Sequence, residues 1–551
     1  MKNKYIDIME KVLSAYNYEH IESYFNKVKK ETLSEHGFPR LTANIGILIA
    51  HKRRLDLLPI FLEMMEYCCK TIPTVLAAND FSVREIVCCL NEIEKSEDID
   101  KSYVLRFKEY LKTIDPYKCY NVYAKTPEDT VYNWAIFTAL SEFFRQKAGL
   151  CDSREFIDIQ IESQFKRFDE NGMYMDNAES EINHPFVYDL VSRGLLTLLL
   201  SAGYRGKHYE RLDAILKKAG LLTLKMQSVN GEIPFGGRSN QFLHNEAWLA
   251  SICEYEAKRY KNEGDLVLAG KFKAAAKKAL SVIEAWLKEK PISHIKNRFP
   301  IESKFGCEDY AYFDKYMITA ASFLYTSYLN CDTSIEEGEF DISPDSFLTS
   351  YRFHKLFLKA HGYFLEFDLN ADPHYDAKGL GRIHKMNAPS QICISVPCSG
   401  HPIYNINIKN PAPLSICPGI INNGDCIFAT GNESKWEVIN YTNESAVIKT
   451  EICGKSIFTK YEITPDFVEI TAESDSELLF LLPALYFDGK NYADISTKGN
   501  IITVDYQGHQ CIYETDAEYR ENETLSANRN GYYKSFTLKG EKQIKIKITL
   551  I

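Results

Sequence analysis

The sequence predicts an α+β multidomain protein, an N-terminal (α/α) toroid of helical hairpins followed by a C-terminal antiparallel β-sandwich. Three observations predict it. The chain has 551 residues, well past the size at which one core keeps growing, so two large domains are expected. Apolar residues recur at helical spacing from the start to about Leu329, then alternate beyond about Ser334. The acidic stretch IEEGEFDIS separates the two textures, which divides the chain into residues 1–335 and 336–551.

In the first part, segments such as IDIMEKVLSAYNYEHIESYFNKVKK, DLLPIFLEMMEYCCKTI, DLVSRGLLTLLLSAG and FLHNEAWLASICEYEAKRYKN carry apolar residues at i, i+3, i+4 and i+7. Roughly ten to twelve such helices, joined by loops with Pro or Gly, bury every apolar stripe when stacked as a ring of antiparallel hairpins. After the linker, one or two more amphipathic segments are expected near Phe347 to Leu358. Short alternating runs follow, among them YFLEFDL, QICISVP, IYNINI, SAVIKTEI, SIFTKYEIT, IITVDY and QIKIKITLI. Separated by Asn, Asp and Gly turns, they read as strands of a sandwich.

Composition excludes several function classes. Hydrophobic residues make up 45% and charged residues 25%, ordinary globular values, and 65 Lys+Arg against 75 Asp+Glu leave a net charge of −10. A nucleic-acid binder normally has a basic surplus, so nucleic acid is not an expected partner. No secretion signal or uncharged apolar run of membrane-spanning length is read, which excludes a membrane partner. The 15 cysteines, an odd number with adjacent pairs Cys68-Cys69 and Cys88-Cys89, suit reduced, buried thiols in a cytoplasm. Aromatics stand at 13%, with 35 Tyr, a supply of rings on which sugars could stack or which simply pack the helices.

Four islands concentrate polar and titratable groups beside apolar text, where they are costly unless they have partners or work. In ENGMYMDNAESEINHPFVYDLVSR, Asn183 and His184 precede Pro185 at a helix entrance, with Tyr188, Asp189 and Arg193 just inside. In IPFGGRSNQFLHNE, two glycines free the backbone before Arg238, and a helix is expected from Ser239 or Asn240 onward, carrying His244 and Glu246. A guanidinium there is shaped to grip a carboxylate with two hydrogen bonds. In HIKNRFPIESKFGCEDYAYFDKY, Glu308, Tyr310 and Tyr312 stand among cations that would lower a phenol pKa. The fourth island, PHYDAKGLGRIH, is expected to be a loop from the second domain that leans over a cleft in the first and presents Arg382 and His384. There is no HExxH, paired CxxC, phosphate loop, dinucleotide fingerprint or GxSxG elbow, so neither a metal nor another cofactor is expected.

The order of parts, with Asn183-His184 at a helix start, Tyr310 or Tyr312 on a later helix and His384 from the β domain, resembles the heparinase II/III-like and alginate-lyase-like enzymes. It is also similar to the glucuronidases of glycoside hydrolase family 154. The resemblance is architectural over the whole chain. It departs at PHYDAKGLGRIH, which is poorer in His and Gly than the lyases' segment and leaves His374 and His384 as alternatives. The resemblance implies an oligosaccharide substrate carrying a uronic acid, cleaved by β-elimination. Arg238 and Asn183 would then neutralise the carboxylate, His184 or His384 would take the neighbouring proton, and Tyr310 would protonate the leaving oxygen. Asn240, His244, Tyr188, Arg193, Arg382 and Tyr312 complete the expected substrate-binding set. Hydrolysis is the alternative and needs two carboxyls flanking the bond, from Glu246, Asp189, Glu308, Asp176 and Asp309. A non-catalytic carbohydrate-binding protein is a third reading, and a homodimer is compatible with all of them.

Overall fold

The computed structural model describes residues 1–176 and 183–551. Fourteen α-helices are present among them: α1 (Lys2–Leu13), α2 (Tyr18–Glu31), α3 (Gly37–Ala50), α4 (Leu58–Thr71), α5 (Asn79–Ile93), α6 (Lys101–Lys112), α7 (Pro116–Cys119), α8 (Trp134–Lys147), α9 (Arg154–Gln164), α10 (Phe186–Ser201), α11 (Tyr209–Met226), α12 (His244–Asn262), α13 (Leu266–Trp286) and α14 (Phe313–Asn330). Helices α3, α5, α8, α10, α12 and α14 each pack on the next, and α14 closes back on α3, so they form a ring. Helices α1, α4, α9, α11 and α13 pack outside it.

Burial explains which helices lie inside. α3 is buried from Gly37 to Ile49 and α10 on nearly every residue, whereas α2 buries only Ile21, Phe25 and Val28. A helix apolar all round must be covered on all sides, and one with a single stripe can face water. Charges on the inner ring are accordingly paired. Asp189 holds Arg193 at 2.6 and 2.9 Å one turn along α10, and Glu142 holds Arg145 at 2.7 and 2.8 Å in α8. Gly194 lets α10 approach α12, since a Cβ there would overlap the Trp248 ring. No helix among the described residues is long and apolar enough to cross a membrane.

The C-terminal part is an antiparallel β-sandwich. Strands β1 (Asp345–Leu348), β2 (Lys355–Ala360), β3 (Tyr363–Asp368) and β4 (Gly379–Lys385) form a four-stranded sheet in sequence order. An eight-stranded and a six-stranded sheet follow among the described residues, and all three contribute to one core that includes Leu365, Ile383, Ile470, Phe480 and Ile546. β2 and β3 are buried on every residue. One face feeds that core, and the other sets Phe357 and Phe364 against Phe186 and Met226 of the helical part. The two parts therefore share a packed, apolar interface.

Three local expectations are corrected. The stretch Phe347 to Leu358 holds the end of β1, a turn and the start of β2 rather than helix, because β1 has only 4 residues and β2, buried on both faces, loses the alternation that identifies a strand. QICISVP forms only an isolated bridge, Ile394 with Ile383, and IYNINI forms no strand or bridge, in a stretch punctuated by Pro389, Pro397, Pro402, Pro411 and Pro413. Arg382 and His384 lie on β4, not in the preceding loop.

Candidate active site

The first turns of all six inner helices surround one cavity of about 580 Å³. α3 contributes Arg40 with His36 before it, α5 Phe81, α8 Trp134 with Asn133 before it, α10 Tyr188, α12 His244, and α14 Lys315, Tyr316 and Phe323. Every inner helix thus directs its N-terminus at the same mouth, and N-terminal partial charges favour an anion there. Side chains add to that field. Arg40 pairs with Glu85 at 3.1 Å, but Arg84 binds the same carboxylate, so one positive charge is left over. Lys315 stands on the cavity wall near the Tyr312 and Tyr316 rings.

Arg238 enters the cavity from the loop before α12, which begins at His244 and not at Ser239 as expected. Its guanidinium donates to Asp176 at 2.8 Å and lies over the Tyr188 ring, 4.3 Å from the centroid. The Asp176 side chain is fully buried and also accepts the Asn133 N–H at 3.1 Å, while the Arg238 side chain remains 39% exposed. The cation is therefore anchored from behind and open in front. Burial pushes the Asp176 carboxyl up, against the pull of Arg238.

Next to Arg238, the Ser239 hydroxyl is shared by two phenols, Tyr310 at 2.9 Å and Tyr188 at 3.3 Å, with the Tyr316 ring 6.0 Å from that of Tyr310. Tyr310 is 39% exposed. The expectation that cations lower its pKa is corrected: burial, then Tyr188 and Glu308, push it well up. A phenol so placed stays protonated and is a proton donor rather than a base. The histidines are shifted the other way. Burial, then Arg40, hold His244 down at about 3, and burial with Arg40 and Lys315 lowers His36. Both imidazoles are neutral at pH 7. His36 is half-buried, whereas His244 is enclosed by Phe242, Tyr316 and Phe323.

Of the residues singled out in the sequence, the structure gathers Arg238, Tyr310, Tyr188, His244 and Asp176 around this cavity. Tyr312, 38% exposed, lines a neighbouring hollow with Tyr24 and Glu35. Asn183 and His184 precede α10 but turn toward the β domain. The Asn183 N–H meets His354 Nε2 at 3.0 Å, and the His184 N–H meets the Arg352 carbonyl at 3.4 Å. The stretch just before them, 177–182, lies outside the described residues.

His384 lies elsewhere too, 1% exposed between Ser228 Oγ at 3.0 Å and Ser395 Oγ at 3.1 Å. Burial and Arg382 hold it neutral, at about 3. Arg382 is fully buried, bonded to Glu366 at 3.0 Å and to the Ile233 and Ser395 carbonyls. Asn240 donates to the Pro234 carbonyl at 3.1 Å, and Arg193 is held by Asp189. Of the carboxyls weighed for hydrolysis, Asp189 is held by Arg193, Glu246 by Lys296 at 2.7 Å and Glu308 by Arg529 at 2.7 Å, while Asp309 is exposed and does not line the cavity. Sequence reasoning placed Lys315 among the cations around Tyr310 but missed His36, Arg40, Trp134 and Tyr316, and Ser239 in the loop before α12. The one signal shared by His36, Arg40, Trp134 and Tyr316 is position, at or just before the first turn of an inner-ring helix.

No protein-family model and no curated protein matches the chain. Among solved structures, the chain is similar to the chondroitin AC lyase of Streptomyces coelicolor A3 in complex with chondroitin sulphate, with TM-score 0.48, 9% identity, and 100% of this chain and 83% of that one covered. It is similar to heparinase III with TM-score 0.38 and 8% identity over 88% of this chain and 78% of that one. A GH127 β-arabinofuranosidase gives TM-score 0.35 and 9% identity over 98% and 95%. At these identities and superpositions the likenesses carry no argument about what the cavity does, which rests on the side chains that line it.

Proposed function

We propose that the protein is a carbohydrate-active lyase that cleaves the glycosidic linkage at a uronic-acid residue of an oligosaccharide by β-elimination. The observation that carries this reading is the adjacency of a forward-facing Arg238 and a protonated Tyr310, joined through Ser239, in a cavity with a neutral histidine on its wall. The obstacle in β-elimination is the weak acidity of the carbon next to the carboxylate, and a cation on that carboxylate lowers the barrier by stabilising the negative charge that develops.

In this reading Arg238 binds the uronate carboxylate. His36, the more open of the two neutral imidazoles, takes the proton from the adjacent carbon. The C–H electron pair becomes the new C=C bond, the C–O bond to the leaving sugar breaks, and the leaving oxygen takes the proton of Tyr310. Trp134 and Tyr188 offer rings for the sugar faces. The roles expected of His384 and Asn183 pass to cavity residues.

Hydrolysis remains the second reading, supported by Asp176, a buried carboxyl in the same cavity whose pKa is pushed up as a general acid requires. Cleavage in heavy-oxygen water separates the two. Elimination leaves no solvent oxygen in the products, and hydrolysis adds one atom per bond broken.

A further inference from the structure

The segment that carries Arg238 is held in an unusual backbone shape. Gly236 has φ +126°, Gly237 +74°, Ser239 +60° and Gln241 +68°. Ser239 and Gln241 are side-chain-bearing residues in a region that disfavours them, so contacts from outside must hold the loop. Two carboxylates supply them, one on each side of Arg238. Asp376, in the link between β3 and β4, accepts the Gly237 N–H at 2.7 Å, and Glu308 accepts the Ser239 N–H at 2.7 Å.

Neither carboxylate is free to wander. Arg529, from the β domain, grips Glu308 at 2.7 and 3.0 Å and also donates to the Gly306 carbonyl at 2.7 Å and the Gly237 carbonyl at 3.4 Å. Its neighbour Asn530 reaches Gln241 Oε1 at 3.2 Å. Asp376, Glu308 and Arg529 are 4%, 3% and 1% exposed. A Cβ on Gly237 would lie 2.9 Å from that of Pro185, so the loop has no space to shift toward α10.

We propose that Asp376 and the Glu308–Arg529 pair are positioning residues for Arg238: by binding the peptide N–H groups on either side of it, they fix the direction in which its guanidinium faces the cavity. The proposal rests on the reading of Arg238 as the group that binds the substrate carboxylate, and it makes the β domain part of that binding. Buried charges are a costly way to hold two domains together, because desolvation consumes most of what pairing gives, and apolar packing would serve as well. What charged acceptors add is direction.

Asp376 also makes the arrangement sensitive to acid. Burial pushes its carboxyl up to about 7, against Lys355 of β2, the Gly237 N–H and Arg529, with Asp368 of β3 adding to the rise. Once protonated, it is a weaker acceptor for Gly237.

The test uses the full-length protein and the variants Asp376→Asn, which preserves shape and removes the charge, and Arg529→Lys, which preserves the charge and removes the two-pronged grip. Hydrogen exchange is followed in the peptide spanning Gly236 to Gln241 and in α12, alongside KM and kcat on uronate oligosaccharides. In both variants the loop is expected to exchange at least about tenfold faster with α12 unchanged, and kcat/KM to fall about tenfold on the uronate substrate but not on its carboxyl-reduced form. In Asp376→Asn, kcat/KM should also lose the part of its pH dependence near neutrality that comes from Asp376. Unchanged loop exchange in both variants overturns the proposal, as does an equal fall in kcat/KM on both substrates. Should the wild type turn over no uronate, the elimination reading fails, while the exchange measurement still decides the positioning role.

Discussion

Arg238 and Tyr188 face each other across the cavity mouth, the guanidinium carbon 4.3 Å from the ring centroid. The ring supports the cation from one side and Asp176 anchors it from behind, so its exposed part is left for the substrate carboxylate of the proposed reaction. Replacing Arg238 by Ala should lower kcat/KM by about 10²–10³-fold, the loss seen when one donor to a developing charge is removed. Arg238→Lys should recover only part of that loss, because an ammonium cannot present two parallel donors. Steady-state kinetics on a uronate oligosaccharide and on its carboxyl-reduced form make the check, and only the former should respond.

Tyr310→Phe removes one hydroxyl from a half-exposed ring and leaves the packing in place. Loss of a proton donor is expected to cost about 10²–10⁴-fold in kcat, with thermal unfolding unchanged. Since the phenol is pushed up rather than down, wild-type activity should show no limb from Tyr310 ionisation below its ordinary range.

His384→Gln should spare activity per folded molecule and change the stability profile instead. The folded-state pKa of about 3 lies below the ordinary histidine value of 6.5, so below 6.5 the unfolded chain takes up a proton that the folded chain refuses. Stability is therefore lost as pH falls from 6.5 toward 3, by up to about 1.4 kcal/mol per pH unit from this group. Denaturant unfolding at successive pH values should show the variant losing less stability than the wild type over that window. A loss of turnover at constant folded fraction would contradict the placement of His384 outside the reacting centre.

Lys296 sits buried between Glu246 at 2.7 Å and Glu232 at 3.3 Å. Lys296→Met strands two carboxylates in the interior and should cost about 3–5 kcal/mol in unfolding free energy, as breaking a buried pair does. The double variant Lys296→Met, Glu246→Gln should regain part of that cost, measured by the same denaturant titration.

The two-part fold was legible because period 3.6 and period 2 survive wherever one face of an element meets water. α2, with three buried positions on one stripe, and the Gln543–Leu550 strand, with its regular alternation, illustrate both periods. The signal failed at β1, which has only 4 residues, and at β2, where both faces are covered. Arg238, Tyr188, Tyr310 and His244 were found because polar residues clustered near glycine or proline stand out against apolar text. His384 and Arg382 stood out for the same reason and proved to be satisfied partners in a buried network, since a sequence records polarity but not who answers it. His36 and Trp134 gave no local signal at all, because only closure of the ring brings the first turns of α3 and α8 to the mouth where Lys315 of α14 stands.

The most direct measurement is the ultraviolet absorbance of the wild-type protein acting on uronate oligosaccharides, read against Arg238→Ala and Tyr310→Phe. The account predicts a rise in absorbance from a conjugated double bond, one for each linkage cut, abolished or strongly slowed in both variants. Release of saturated uronic acid without that absorbance, or a rise that persists undiminished in both variants, would contradict it.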